Sequence, residues 1–318
     1  MRGGKRVKLE NARYMDEWIR VPLCGTGDKL YHYTTAEGAR GIVQDKKFMA
    51  TKSDFLNDKL EFQYALEVME KLVQTYLVNE TFAERFFTLV KEEIRRLGII
   101  SIEDGEDGPS DRMSFYVVAF SKLQNNALLW AEFTEFHGYC LEFSYEKLVE
   151  GFEERAFLHG TVIYDEKEQM TCLLEGLLSC IHGLVREGRT DLDGFFEENA
   201  EVSEESLQAL AEDMAMVCSV YAMFFKKSFF EGEQEYRFVF TPLEKGGIEE
   251  QPKFRLFWQM FLPYILVEYG GGEEALPLES VMLGAKNNSD IATRGMKHFL
   301  KVQGLDIPVL LSDIPLRY

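Results

Sequence analysis

The chain lacks most of the compact signatures by which enzymes announce themselves. Its five cysteines, Cys24, Cys140, Cys172, Cys180 and Cys218, are odd in number and contain no CxxC pair, which argues against a disulfide framework and a zinc ribbon. Its five histidines are scattered and form no H-E-x-x-H pair. Cys180 and His182 share a helical region with Cys172 but fall on different faces, so no metal site is expected. No GxxxxGK[ST] loop and no GxSxG elbow occur, and Gly270 to Gly272 lie in a Glu-flanked turn with no helix after them, so no dinucleotide fingerprint is encoded. A long hydrophobic run is missing too. The most apolar stretch, Phe254 to Tyr269, is broken by Arg255, Gln259, Pro263 and Glu268, so no membrane span is expected. The basic residues from Arg2 to Lys8 are not followed by the apolar core of a secretory signal, and a cytoplasmic chain is the expectation.

Positive charge is also scarce. With 35 Lys and Arg against 54 Asp and Glu, the formal charge is -19, and the resulting field repels phosphate backbones. General nucleic-acid binding is disfavoured; the pair Lys226-Lys227 reads as solvated surface. What the chain does have is apolar bulk. At 318 residues and 46% hydrophobic content it can bury a large core, enough for one elaborated domain.

Patterning predicts a strand at Lys29 to Thr34, a helix from Thr35 to Lys46 capped by Thr34 with Glu37, and a strand at Lys47 to Thr51. The turn-rich Ser53 to Asp58 predicts a loop, and apolar residues at helical spacing predict helices over Leu60 to Val78 and Thr81 to Leu97. The acidic Glu103 to Asp111 lacks EF-hand spacing and is expected to be a loop. Strands follow at Ser114 to Ser121, Gly138 to Phe143 and Thr161 to Tyr164, with a short helix at Ala127 to Thr134 between the first two. Long helices are expected at Glu168 to Val185 and Ser203 to Phe230. Strands at Tyr236 to Thr241, Lys253 to Met260, Pro263 to Glu268, Ser280 to Gly284 and Ile307 to Leu311, with a helix at Asp290 to Val302, complete the chain. Strands come in runs, which predicts an α+β fold: a mixed sheet core with flanking helices, one domain over 1–318, and residues 60–97 as a helical insertion.

Three polar clusters fall where strands meet loops: Tyr31-His32-Tyr33-Thr34; Asn57-Asp58 with Glu61; and Glu231-Gly-Glu233-Gln-Glu235-Tyr-Arg237. In the last, acidic residues precede a hydrophobic strand. A carboxylate held at a sheet rim can address a ligand hydroxyl or a developing positive charge, while the plain alternative is a surface turn. His32 is either a hydrogen-bonded structural imidazole or a ligand donor. Asn57 and Asp58 also suit an Asx turn. Alternation places Arg237 on the same strand face as Glu235, either orienting an acidic residue of the Asn57-Asp58 loop or binding a ligand phosphate.

Taken in order, LYHYT, the FLND loop, VVAFSKLQNNALLWAEFTEFHGYCLEF, Lys227-Ser228, EQEYRFVF and VMLGAKN resemble the bacterial family catalogued as domain of unknown function 2971. Phe133 stands where that family has tyrosine, and Tyr236 where it often has tryptophan. The pattern is also distantly similar to ADP-ribosyltransferases, including toxins. That resemblance implies an ADP-ribosyltransferase-like fold and cleavage of the nicotinamide–ribose bond of NAD, a nucleotide substrate, as in a toxin or phage-defence effector acting on an unknown acceptor. It implies Glu235 as the catalytic carboxylate, with Glu233 as its rival or partner. It further implies a nucleotide-binding set of His32, Tyr33, Thr34, Asn57, Phe120 and Arg237, with His32 on a ribose and Tyr33 or Phe120 on the nicotinamide ring. Because Glu235→Gln keeps shape, that variant is expected to fold normally. Two other classes remain open: a Mg-dependent nuclease or hydrolase built on Asn57, Asp58, Glu61, Glu233 and Glu235, and a non-enzymatic regulatory module. His32 and Glu235 across one cleft with an aromatic residue beside them would favour the transferase, three carboxylates within metal-sharing distance the hydrolase, and a core-buried His32 with Glu235 on a remote convex surface the module.

Overall fold

Alternation between two faces governs the strands that organise this protein. The computed structural model describes residues 19–56, 61–97, 114–152, 155–242, 251–257, 259–272, 274–287 and 290–315. Among them run ten strands: β1 (Lys29–Thr34), β2 (Lys47–Lys52), β3 (Tyr116–Ser121), β4 (Tyr139–Ser144), β5 (Ala156–Thr161), β6 (Glu235–Phe240), β7 (Lys253–Phe257), β8 (Met260–Glu268), β9 (Leu278–Leu283) and β10 (Val309–Leu311). The order β10-β9-β4-β1-β3-β2-β8-β7 is antiparallel except for β10 with β9. This is a mixed α and β fold on a mostly antiparallel open sheet.

The sheet forks at β3. One edge of β3 pairs with β6 along its whole length, and β6 pairs on with β5. The opposite edge is shared: Ser121 pairs with Tyr31 of β1, while Val117 and Tyr116 pair with Thr51 and Lys52 of β2. Between these contacts β1 and β2 diverge.

Eight α-helices are described: α1 (Ala36–Asp45), α2 (Glu61–Tyr76), α3 (Glu80–Leu97), α4 (Ala127–Thr134), α5 (Tyr145–Phe152), α6 (Glu166–Arg186), α7 (Glu204–Tyr221) and α8 (Asp290–Val302). One face of the sheet, bearing Leu30, Phe48, Phe120, Phe143 and Phe238, is covered by α1 through Ile42, α5 through Leu148 and Phe152, and α8 through Leu300. The other face, through Val117 and Val239, packs on α2, α3, α6 and α7, represented by Leu72, Phe86, Leu177 and Met214. The helices of 61–97 thus share a core with α6 and α7. On that second face α4 covers Tyr33 and Cys140 through Trp130.

Several boundaries differ from expectation. The helix begun at Ser203 stops at Tyr221, because Ile163 N donates to Phe224 O at 2.7 Å and Lys226 N to Ile163 O at 3.2 Å, a pairing a continuing helix would forbid. The strand expected at Thr161 to Tyr164 ends at Thr161, leaving only an isolated bridge from Ile163 to Phe225. Thr35, rather than Thr34, caps α1 by accepting from Gly38 N. The run after Lys253 breaks into a hairpin around Gln259, whose φ of 66° suits a turn. Helix α5 had no counterpart in the sequence pattern. The loop at 103–111 and residues 57–60 lie outside the described residues. No helix among the described residues is long and apolar enough to cross a membrane.

Candidate functional site

The acidic segment before β6 makes a tight corner. Gln234 adopts the left-handed conformation, φ 45° and ψ 51°, which is costly for a side chain with a Cβ and persists only where its surroundings hold it. Here three contacts do so. Ser121 Oγ donates to Glu233 O at 2.7 Å, Lys122 N donates to Gln234 O at 2.9 Å, and Asn126 Nδ2 donates to Gly232 O at 3.1 Å. Glu235 N in turn donates to the Tyr164 hydroxyl at 3.0 Å.

The corner turns both carboxylates inward. Lys226 Nζ lies 2.6 Å from Glu233 Oε2 and 2.8 Å from Glu235 Oε1, and Arg237 Nε lies 2.5 Å from Glu235 Oε2. All four residues are buried. Arg237 also donates to Met223 O at 2.8 Å, and Lys226 Nζ sits 4.5 Å from the centre of the Phe230 ring. The two acids differ in state. Burial and the adjacent Glu235 carboxylate push Glu233 above the usual carboxylate range, so of the two acids it is the one that keeps a proton. For Glu235, burial works the other way from the outcome: it favours the neutral form, but Arg237 and Lys226 outweigh it and hold the group ionised, below the usual carboxylate range. A neutral acid beside an ionised one is an arrangement acid–base chemistry uses.

Lys226 anchors the cluster through its backbone as well. Gln169, fully buried in α6, donates from Nε2 to Ile163 O at 2.7 Å and Lys226 O at 3.0 Å, and its Oε1 accepts from the Tyr64 hydroxyl at 2.8 Å. The basic pair predicted to be solvated surface is therefore split: Lys226 is buried, and Lys227 pairs with Glu67 at 3.5 Å.

Glu235 also ends a row. Register places it opposite Ser121, Ser121 opposite Tyr31, Tyr31 opposite Glu142, and Glu142 opposite Ser280, across β6, β3, β1, β4 and β9. Directly opposed residues share a face, so five polar side chains form one line over four strand spacings of about 4.8 Å, roughly 19 Å in all. Glu142 Oε2 accepts from Ser280 Oγ at 2.5 Å and Gln124 Nε2 at 2.8 Å. Tyr31 is half-buried at the centre of the line, and its phenol is pushed up to about 12 by burial and by Glu142. Its hydroxyl has no hydrogen-bond partner among the described residues.

The structure separates the residues that the transferase resemblance groups together. Glu233, Glu235 and Arg237 come together, and Arg237 pairs with Glu235; the Asn57-Asp58 loop that Arg237 was expected to orient lies outside the described residues. His32 and Phe120 do not join them, because strand alternation turns both to the opposite face of the sheet. There the His32 ring packs against Phe48 and Phe120, and Nδ1 donates to Ala119 O at 2.9 Å, satisfying a β3 carbonyl where β1 and β2 diverge. Burial pushes His32 down to about 4, so it stays neutral. Thr34 shares the His32 side by alternation. Tyr33 faces the Glu235 side but is tied down, donating to Leu123 O at 2.8 Å and accepting from Asn126 N at 3.0 Å. Asn57, Asp58 and the Glu61 side chain lie outside the described residues. Among those described, no group of three or more His, Cys, Asp or Glu could hold a metal ion.

The rim carboxylates of the sequence pattern are thus core groups, and Glu235→Gln can no longer be expected to fold normally. Lys226, Ser121, Glu142 and Ser280 were missed as site residues. The available signal was Glu142 itself, a lone carboxylate inside the apolar strand Tyr139–Ser144. A depression of about 440 Å³ lined by Arg189, Asp191, Ser203 and Glu205 shares no residue with the row or the cluster. Comparisons with protein-family models, curated proteins and solved structures found no match.

Proposed function

We propose that the chain is an enzyme acting on a ribosyl nucleotide, of the NAD-cleaving ADP-ribosyltransferase type, with its ligand laid along the row from Glu235 to Ser280. The observation that carries this reading is the row itself: two carboxylates and three hydroxyls, with the half-buried Tyr31 phenol at the centre, match the diols of ribose better than an apolar ligand. Lys29, on the Tyr31 side of β1 and paired with Glu279, is the cation available to a phosphate. Glu235, fixed and ionised, is the group able to stabilise positive charge developing at a ribose C1 carbon, and Glu233 holds a proton beside it. His32 and Phe120 have no part in this form of the reading.

The test is NAD binding by calorimetry and nicotinamide release by the wild-type chain and by Tyr31→Phe, which removes a hydroxyl with no hydrogen-bond partner among the described residues. Binding by the wild type and a loss of about 1 kcal/mol or more in Tyr31→Phe is expected. A wild type that neither binds nor cleaves NAD, with candidate acceptors supplied, overturns the reading. It would leave the non-enzymatic module.

A further inference from the structure

The hairpin of β7 and β8 carries the most exposed apolar cluster in the sheet. Phe254, Leu256 and Phe261 are 60%, 71% and 68% exposed. Register pairs Leu256 with Phe261 and Phe254 with Pro263, so all four side chains lie on one side of the hairpin. Met260 at its tip is 52% exposed. The alternate residue Arg255 is held inward, its Nη2 donating to the Thr51 hydroxyl at 3.1 Å, while on the other side Phe254, Leu256 and Phe261 are exposed and Pro263 is buried. β7 is also the last strand of its branch among the described residues, and its outer edge offers unpaired backbone groups.

We propose that β7 is the pairing edge of a homodimer, in which two copies of the strand meet antiparallel about a two-fold axis and join their sheets. Three features favour a second copy. The sequence Lys-Phe-Arg-Leu-Phe is self-complementary in this sense: centred on Arg255, the pairing sets Phe254 of one copy beside Leu256 of the other, apolar on apolar. Arg255 is drawn toward Thr51, so the central like charges do not confront each other. The contacts formed at the edge are the two Phe254–Leu256 cross-strand pairs, with Phe261 and Met260 one strand further in on β8. No acidic residue lies between Lys253 and Leu262, so the -19 charge of the chain is kept off the contact.

Sedimentation velocity of the full chain over a rising concentration series is expected to show a dimer, and Leu256→Lys a folded monomer whose melting temperature does not rise with concentration. A wild type that stays monomeric at high micromolar concentration overturns the proposal and assigns the patch to another partner. A Leu256→Lys chain that folds and remains dimeric overturns it as well. The register has its own check, independent of how Leu256→Lys folds. Phe254→Cys and Leu256→Cys chains, mixed and mildly oxidised, should give a linked 254–256 peptide by mass spectrometry, and neither variant alone should crosslink through its new thiol. Absence of that peptide from the mixture overturns the pairing.

Discussion

Glu233 and Glu235 grip the same ammonium, Lys226 Nζ, at 2.6 and 2.8 Å, but only Glu235 also meets Arg237. That inequality decides which acid carries the charge, and therefore what each contributes to the fold. Glu233→Gln replaces a neutral acid by a neutral amide of the same shape and should cost less than about 1 kcal/mol. Glu235→Gln leaves two buried cations without their shared anion and should cost about 3–5 kcal/mol. Urea unfolding of the two variants measures this directly, and equal losses would show the charge to be shared.

The same pair sets a pH dependence. The folded chain holds the Glu233 proton to higher pH than the unfolded chain does, so its contribution is complete below the unfolded value and fades as pH rises through the folded one. Glu235 has the opposite sign, contributing above its unfolded value and fading in acid. Stability of the wild type should therefore decline as pH rises from the ordinary carboxylate range into the alkaline range. Melting curves of Glu233→Gln across that range should be flatter; an identical slope refutes the assignment.

His32 acts in acid. Its folded value of about 4 lies below the ordinary 6.5, so the unfolded chain takes up a proton that the folded chain refuses, and stability should decline as pH falls from about 6.5 to 4. His32→Phe keeps the aromatic contacts with Phe48 and Phe120 but orphans the Ala119 carbonyl. It should lose about 1–3 kcal/mol at neutral pH and lose this acid sensitivity too. An NMR titration placing the His32 midpoint near 6.5 would contradict the buried, neutral imidazole.

Gln169 ties three segments with one side chain: Tyr64 in α2, Ile163, and Lys226. Gln169→Leu fills the same volume but strands two carbonyls and a hydroxyl, and should cost about 2–4 kcal/mol in chemical denaturation. A neutral outcome would mean the three segments are held without it.

Much of this architecture was legible in the sequence because the strands alternate cleanly. β1, β2 and β6 fall within a residue of their expected bounds, as do α4 and α8. Where long-range pairing overrides local pattern, legibility ends. Ala222 to Lys226 has helical composition, yet the bridge to Ile163 pulls it out of α7. The proximity of Glu235 and Arg237 followed from strand period alone. The burial of Lys226 did not, since a lysine pair in an acidic chain carries no mark of the partners that neutralise it. Nor could one sequence show the register in which β1, β3 and β6 pair, and that register puts Tyr31 rather than His32 on the Glu235 face.

The row from Glu235 to Ser280 draws one residue from each of β6, β3, β1, β4 and β9, positions that run from 31 to 280 along the chain. No fragment that omits either end of that span contains it, and no local opening that frees one of the five strands can leave it whole. Loss of ligand binding on heating should therefore coincide with cooperative unfolding rather than precede it, and limited proteolysis that nicks a loop but keeps the strands paired should leave binding intact.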